Sequence, residues 1–468
     1  MEKKLPFFLI ILSLFLLLIS PNFLSRGMFI DGIVYSNFSK NFALGLGSFL
    51  HPYFSPTYLL NFKSHPPMFF FIEGLFFKIF GLDFYIEKVF SVLCILISGF
   101  LMVKLYIKLG FKVSFLPFLF FVSIPLIFWS ATNNIIENAL MVFTTLSVLL
   151  YIYSLNNKHF FWIFLSGLSI AIGFSLKGFV ALFPFSFPFI YWLVARKLSL
   201  KRMIIDTLLI VVFTGLPIII SIFSFPDAKT YFESYFKIQI MGSITIAQTV
   251  DSRFYIIGRF LSEIITPIII LIIFLIINKK KNIKLFPKNE DTRNGLAISI
   301  FSLTAILPIM ITMKQSGFYM LPAFPFISIG IASIIDLRAK ELLSKLEIKS
   351  KLFHIIKYSS FVLLFISFIT CFSFYNSYSR DKELLSDIDK LASHLPSKAL
   401  VNIPQEMRHE YSLIAYSARN YNISIDPNIT NNRRYLLVRK EIDKNQYFQD
   451  YKRIELETKQ FYLYERKK

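Results

Sequence analysis

Long apolar runs separated by short polar connections organise most of this chain. Runs of about twenty apolar residues span a bilayer as a helix. Such runs lie roughly at 5–22, 87–105, 114–131, 137–155, 160–175, 178–195, 203–224, 256–277, 295–313, 318–336 and 357–375. The pattern predicts about eleven membrane-spanning helices. From about Tyr378 it changes. SKALVNI, RRYLLVRK and IELETKQFYLYER read as strands, and EMRHEYSLIAYSARN as an amphipathic helix. The expected organisation is a transmembrane domain over 1–376 and a small α/β domain over 377–468.

The connections orient the bundle. Lys104, Lys108 and Lys112 cluster in one, Lys158 lies in another, and ARKLSLKR, NKKKNIKLFPKNEDTRNG and LRAKELLSKLEIKSK form three more. With eleven spans, all five fall on the side of the N-terminal MEKK, as expected for cytoplasmic loops. The segment PPMFFFIEGLFFKIFG (66–81) tests this count. As a span it would move every later basic cluster to the other side, and it contains Glu73 and Lys78. It is therefore read as an interfacial or re-entrant helix within a first outer loop over 21–86. Asp31, His65, the turns at 131–137 and 176–177, the loop 225–255, the turn 314–317 and the tail then share the outer side.

Composition agrees with lipid as the solvent. The 468 residues are 55% hydrophobic, with a mean hydropathy of +0.59, more apolar surface than a soluble domain can hide. The net charge of +21 is assigned to loops facing the cytoplasm and anionic lipid, not to nucleic acid. The first run, Leu5 to Ile19, has the length of a signal-peptide core, but no small-residue cleavage site follows, so it is taken as an uncleaved span. Cys94 and Cys371 lie in apolar runs and form no disulfide framework. No histidine pair has metal-ligand spacing, and Asp387 and Asp389 in SDIDK read as a solvated helix face in the tail. Metal-independent chemistry without a cofactor is expected, in a multi-pass protein of a bacterial inner membrane.

The polar residues at the outer ends of the spans carry the candidate chemistry. FIDGIVYSNFSKNFALGLGSF followed by SHPPMFFFIEGLFFKIFG resembles the first outer loop of glycosyltransferases of the protein O-mannosyltransferase and aminoarabinose transferase type. IIENALMVF, SLKGFVALFP and MKQSGFYMLPAFPFISIG follow in the order that family shows. Here Lys314 and Tyr319 stand one residue further apart than in the family pattern, Gly32 follows Asp31 where an acid is common, and His65-Pro66-Pro67 replaces Lys-Pro-Pro. The resemblance covers about residues 5 to 336. It implies the C-type glycosyltransferase fold, a sugar on polyprenyl phosphate as donor, and transfer with inversion to a lipid, glycan or protein acceptor at the outer face of the membrane.

Roles follow residue by residue. Asp31 is the general base that takes the acceptor's proton; its competing reading is a helix N-cap near Ile33. Glu137 orients the acceptor or pairs with a basic site residue, against a helix-start acid. Lys177 and Lys314 face the donor phosphate, whose charge grows as it leaves, against snorkelling to headgroups. His65 contacts the phosphate or the acceptor, against a turn residue. Tyr319 assists the phosphate or belongs to an aromatic belt. Arg253, and beside it Arg259, are further candidates for the phosphate. The alternative function is a transporter or flippase of lipid-linked sugars, which predicts related halves and ionisable groups at span centres. A ligase or polymerase of lipid-linked glycans predicts a large late outer loop.

Overall fold

The computed structural model describes residues 2–60, 62–156, 158–245, 248–278, 290–442 and 450–467. Most of the basic connection NKKKNIKLFPKNEDTRNG lies outside them. Helix α1 (Leu5–Phe23) leads into α2 (Ile30–Ala43), a hairpin of β1 (Gly47–Ser48) and β2 (His51–Pro52), and α3 (Met68–Phe80). With 13 residues, α3 is shorter than a bilayer crossing. Then come α4 (Ile86–Lys108), α5 (Leu116–Val122), α6 (Pro125–Ala131), α7 (Ile136–Ser154) and α8 (His159–Lys177). A 3-10 turn (Gly178–Ser186), α9 (Phe187–Ile190) and a π turn (Tyr191–Ala195) follow. The bundle continues with α10 (Leu200–Ser224), α11 (Pro226–Tyr235), α12 (Gly242–Thr245), α13 (Tyr255–Ile277), α14 (Glu290–Ile306), α15 (Phe324–Lys345) and α16 (Lys351–Ser373).

Among the described residues, nine helical stretches are long and apolar enough to cross a membrane. Two local breaks reconcile that number with eleven. The stretch His159–Ala195 folds in two at Gly178, where φ is +75°. A Cβ on Gly173 would lie 3.2 Å from that of Ala181, a distance no straight helix allows between residues eight apart. The run expected as one helix over 114–131 is instead α5 and α6. Ile124 between them is extended because Pro125 disfavours helical backbone before it. The freed Leu126 N–H donates to Glu263 Oε2 at 2.8 Å.

Polar contacts sort the bundle into two ends. At one, Lys4 Nζ donates to Lys112 O at 2.6 Å, Asn294 to Leu109 O at 2.7 Å, and Arg202 to Ser154 O at 3.0 Å. At the other lie α2, the turn between α6 and α7, the C-terminus of α8 and the turn at 312–316. These hold the candidate chemistry.

The tail forms one five-stranded sheet, ordered β4-β3-β5-β7-β6. Its elements are α17 (Lys382–His394), β3 (Leu400–Asn402), α18 (Tyr411–Tyr421), β4 (Ser424–Asp426), β5 (Tyr435–Arg439), β6 (Tyr451–Ile454) and β7 (Phe461–Arg466). β3 runs parallel to β4 and β5, while β7 is antiparallel to β5 and β6. One position departs from expectation. SDIDK is not a solvated face: Asp387 is buried and accepts the N–H groups of Lys459 and Gln460 at 2.7 and 2.6 Å. Asp389 accepts both arms of Arg26, at 2.5 and 2.7 Å, and Tyr421 Oη–H at 2.5 Å. These aspartates join the sheet to its helix and the tail to the first loop.

Candidate active site

Asp31 sits in the first turn of α2. The N-cap is Phe29, so the N-cap role considered for Asp31 falls to no side chain. The Phe29 N–H is instead taken by Asn133 Oδ1 at 2.7 Å, from the turn before α7. That turn presses on α2 beside the acid: a Cβ on Gly32 would lie 2.0 Å from Asn133 O. Only glycine admits this approach. Deeper in, Glu73 of α3 is fully buried and accepts from Ser39 Oγ and Asn134 Nδ2, both at 2.6 Å. Burial pushes its pKa up to about 8 against those hydrogen bonds. Glu73 thus ties α2, α3 and the turn together.

Lys177 closes α8, where a cation suits the negative end of the helix. Its ammonium pairs with Glu137 and lies 5.0 Å from the centre of the Tyr319 ring and 5.6 Å from that of Phe318. Both partners are buried, so Lys177 does not snorkel to headgroups. Gly178 makes the turn possible twice over. Its φ is positive, and a Cβ there would lie 2.0 Å from Tyr235 Oη. That hydroxyl donates to Lys177 O at 3.2 Å.

Lys314 arrives from the far end of the chain and reaches Gln239 Oε1 at 3.4 Å. The residue that fixes its loop is Gln315. The Gln315 amide accepts the Ile256 N–H at 3.0 Å and donates to Arg253 O at 3.0 Å and Thr312 O at 2.9 Å. Sequence reading passed over Gln315, since a glutamine beside a lysine has no pattern of its own.

His65 is half-buried, with Nε2 3.0 Å from Tyr35 Oη. Its carbonyl accepts Tyr231 Oη–H at 2.7 Å. Desolvation, helped by Lys177 and Lys314, lowers its pKa well below 6.5, so the ring is neutral near pH 7. Nδ1 is buried without a hydrogen-bond partner.

These groups act on one another electrically. Burial raises the Asp31 pKa, and the charges of Lys177 and Lys314 pull it back. Burial lowers the Lys314 pKa, Lys177 lowers it further, and Asp31 raises it. Asp31, His65, Glu137, Lys177, Lys314 and Tyr319 thus meet at one place. Arg253 and Arg259 do not join them: Arg253 donates to Ile311 O at 3.1 Å and Arg259 pairs with Glu263 at 2.5 Å. A cavity of about 630 Å³ lies beside the cluster between the 3-10 turn after α8, the end of α14 and the π turn after α11 (Phe236–Met241). His65, Lys177, Lys314 and Tyr319 are among its polar lining residues, and Phe179, Leu182, Phe183, Phe185 and Ile309 among its apolar ones.

A helical membrane bundle with an acid at the start of α2, cations gathered at the same end and a small α/β unit is the arrangement expected of the C-type glycosyltransferase fold. The comparisons agree. Residues 64–222 match the family dolichyl-phosphate-mannose-protein mannosyltransferase, a stretch that contains His65, Glu137 and Lys177. The whole fold is similar to ArnT from Cupriavidus metallidurans bound to undecaprenyl phosphate, with a TM-score of 0.67, 12% identity and 97% of each chain covered. It is also similar to the archaeal oligosaccharyltransferase AglB from Archaeoglobus fulgidus in complex with an inhibitory peptide and a dolichol-phosphate. There the TM-score is 0.52 at 9% identity, covering 95% of this chain and 70% of that one. No curated protein sequence matches the chain. The chain is a multi-pass membrane protein of this fold, and the family match supports the resemblance over 64–222, the stretch with the His65, Glu137 and Lys177 motifs.

Proposed function

We propose that this protein is an integral-membrane glycosyltransferase that moves a sugar from a polyprenyl-phosphate donor to a lipid, glycan or protein acceptor. The observation that carries this reading is the coupling of Asp31 to Lys177 and Lys314, two cations that line a largely apolar cavity. The isoprenoid lies in the cavity, and its phosphate faces the two ammonium groups. The acceptor's oxygen or nitrogen attacks the anomeric carbon from the side opposite the phosphate. The bond from that carbon to the phosphate oxygen breaks, and its electron pair leaves with polyprenyl phosphate. The acceptor's proton passes to the Asp31 carboxylate. This geometry inverts the anomeric centre.

Each residue then has a separate task. A carboxylate of raised pKa is a stronger base once ionised. Lys177 and Lys314 stabilise the charge that grows on the leaving phosphate, and Glu137 holds Lys177 in place. Neutral His65 offers Nδ1–H to a phosphate or sugar oxygen. The active face and the C-terminal unit lie outside the cytoplasm, at the outer face of a bacterial inner membrane. The transporter reading is disfavoured because the site's cations sit at helix ends on one face of the bundle.

The test is transfer in proteoliposomes from a labelled polyprenyl-phosphate sugar, with and without chelator, and the anomeric configuration of the product read by NMR. Inverted product formed equally in chelator is expected. Passage of the intact donor across the bilayer without transfer overturns the proposal.

A further inference from the structure

The C-terminal unit holds α2 at both ends. Ahead of the helix, the Met28 N–H donates to Tyr416 Oη at 2.9 Å, three residues before Asp31. The same hydroxyl lies 2.9 Å from both Met28 O and Asp381 Oδ2. At the far end, Lys40 is only 3% exposed. Its ammonium donates to Ala418 O at 2.7 Å, Arg419 O at 2.9 Å and Asn422 Oδ1 at 2.8 Å.

Three acceptors match the three N–H bonds of an ammonium. Two of them are carbonyls in the last turn of α18: Ala418 O also takes the Asn422 N–H at 3.2 Å, while Arg419 O has no backbone donor among the described residues. Lys40 therefore caps a helix of another domain. Burial, with Arg419 beside it, lowers its pKa to about 7, against Glu87, which raises it. Arg419 in turn binds Glu87 at the start of α4, at 2.8 Å, and Leu82 O and Asp83 O, both at 3.1 Å. Between the two grips the apolar core is continuous: Met28, Ile33 and Phe38 of the first loop belong to one cluster with Leu413, Ile414 and Tyr416. Neither Lys40 nor Tyr416 lines the cavity.

We infer that Lys40 and Tyr416 are positioning residues, through which the C-terminal unit sets the height and rotation of α2 and so the place of the Asp31 carboxylate. The inference rests on Asp31 being the base. Lys40 stands nine residues along α2 from Asp31, about 14 Å at the rise of a helix. It acts on the chemistry only by holding the rod. A displacement of about 1 Å at a reacting group costs on the order of a hundredfold in rate.

The test compares Lys40→Met, Lys40→Arg and the milder Tyr416→Phe with Arg434→Ala, all in the full-length protein in nanodiscs. Arg434 pairs with Glu465 at the solvent-facing ends of β5 and β7, with both side chains exposed, and serves as the control. Two readouts are taken: amide hydrogen exchange over 29–40, and kcat and KM for the lipid-linked sugar. Lys40→Met and Tyr416→Phe should each speed exchange in α2 about tenfold or more, with α7 unchanged, and lower kcat about 10- to 100-fold while KM for the donor stays within about twofold. Lys40→Arg should recover part of the loss, and Arg434→Ala should change neither readout. A lower melting temperature with wild-type kcat per folded molecule overturns the inference, because the contacts then only attach the domain. Faster α2 exchange in the variants, in a protein whose wild type transfers no sugar, supports the clamp and contradicts the proposed function.

Discussion

At one end of the bundle the Asp336 carboxylate accepts the Lys112 N–H at 3.0 Å, the Val113 N–H at 2.7 Å and the Tyr106 hydroxyl at 2.9 Å. At the opposite end Asp31 feels Lys177 and Lys314 as charges, and no hydrogen bond among the described residues holds it. Near it His65 Nδ1 and Glu137 Oε2 are buried without partners. Both ends contain acids in an apolar setting, but one satisfies its acid with the fold's own donors and the other leaves capacity open. A satisfied carboxylate stabilises; one without a hydrogen bond beside cations is a candidate for meeting a ligand. Under the proposed function, the difference separates charge that builds the fold from charge that meets a substrate.

Substitutions at the two acids should split accordingly. Asp31→Asn should leave the protein folded and cut transfer by about 10²- to 10⁴-fold, measured as initial rate per inserted molecule. Asp336→Asn should lower stability by about 1.5–3 kcal/mol through weakened bonds to a charged acceptor, read by thermal melting, with kcat nearly unchanged. Equal effects of the two on kcat would erase the contrast.

The cations come next. Lys314→Met should slow transfer about 10- to 10³-fold with little loss of stability. Lys177→Met should slow it as much and also destabilise the protein by about 3–5 kcal/mol, because Glu137 is left buried and unpaired. Gly178→Ala sharpens the same point through the backbone. With φ of +75° and Tyr235 Oη in the way, it should cost about 1–3 kcal/mol and displace Lys177.

The pH dependence is smaller but has a fixed sign. Burial outweighs the two lysines and raises the Asp31 pKa above 3.8, so the base is protonated earlier as pH falls. Transfer should decline on an acid limb whose midpoint lies above 3.8. In Lys314→Met that midpoint should move further up, since a cation that lowers it is gone. Asp389 behaves the other way. Burial pushes its pKa up, but bonds from Arg26, Tyr378 and Tyr421 outweigh it and hold it below 3.8. A depressed carboxylate contributes stability above its unfolded pKa and loses it as pH falls through the folded value. Proteolysis between α16 and α17 should therefore increase below about pH 4.

Much of this was legible in the chain. Hydropathy located the crossings, and the basic connections gave them a consistent order. Motif order brought Asp31, His65, Glu137, Lys177, Lys314 and Tyr319 into view, and all six share one place. Three things were hidden, each for a physical reason. Pro125 splits an apolar run whose hydropathy is unbroken. Arg253 has the charge of a phosphate ligand, yet its side chain turns to a backbone carbonyl. Lys40, Asp389 and Tyr416 look like ordinary polar residues, because the partners that join the first loop to the tail lie more than 300 positions away along the chain. Contacts at that separation leave no local pattern to read.

The central claim is that Lys177 and Lys314 face one donor phosphate, with the Asp31 carboxylate within reach of their charges. Binding of a short-chain polyprenyl phosphate to the purified protein, measured by calorimetry, tests it most directly. Affinity should fall at least about tenfold in Lys314→Met and in Lys177→Met, and hold or rise in Asp31→Asn, which removes a like charge. Wild-type affinity in both lysine variants would contradict the account.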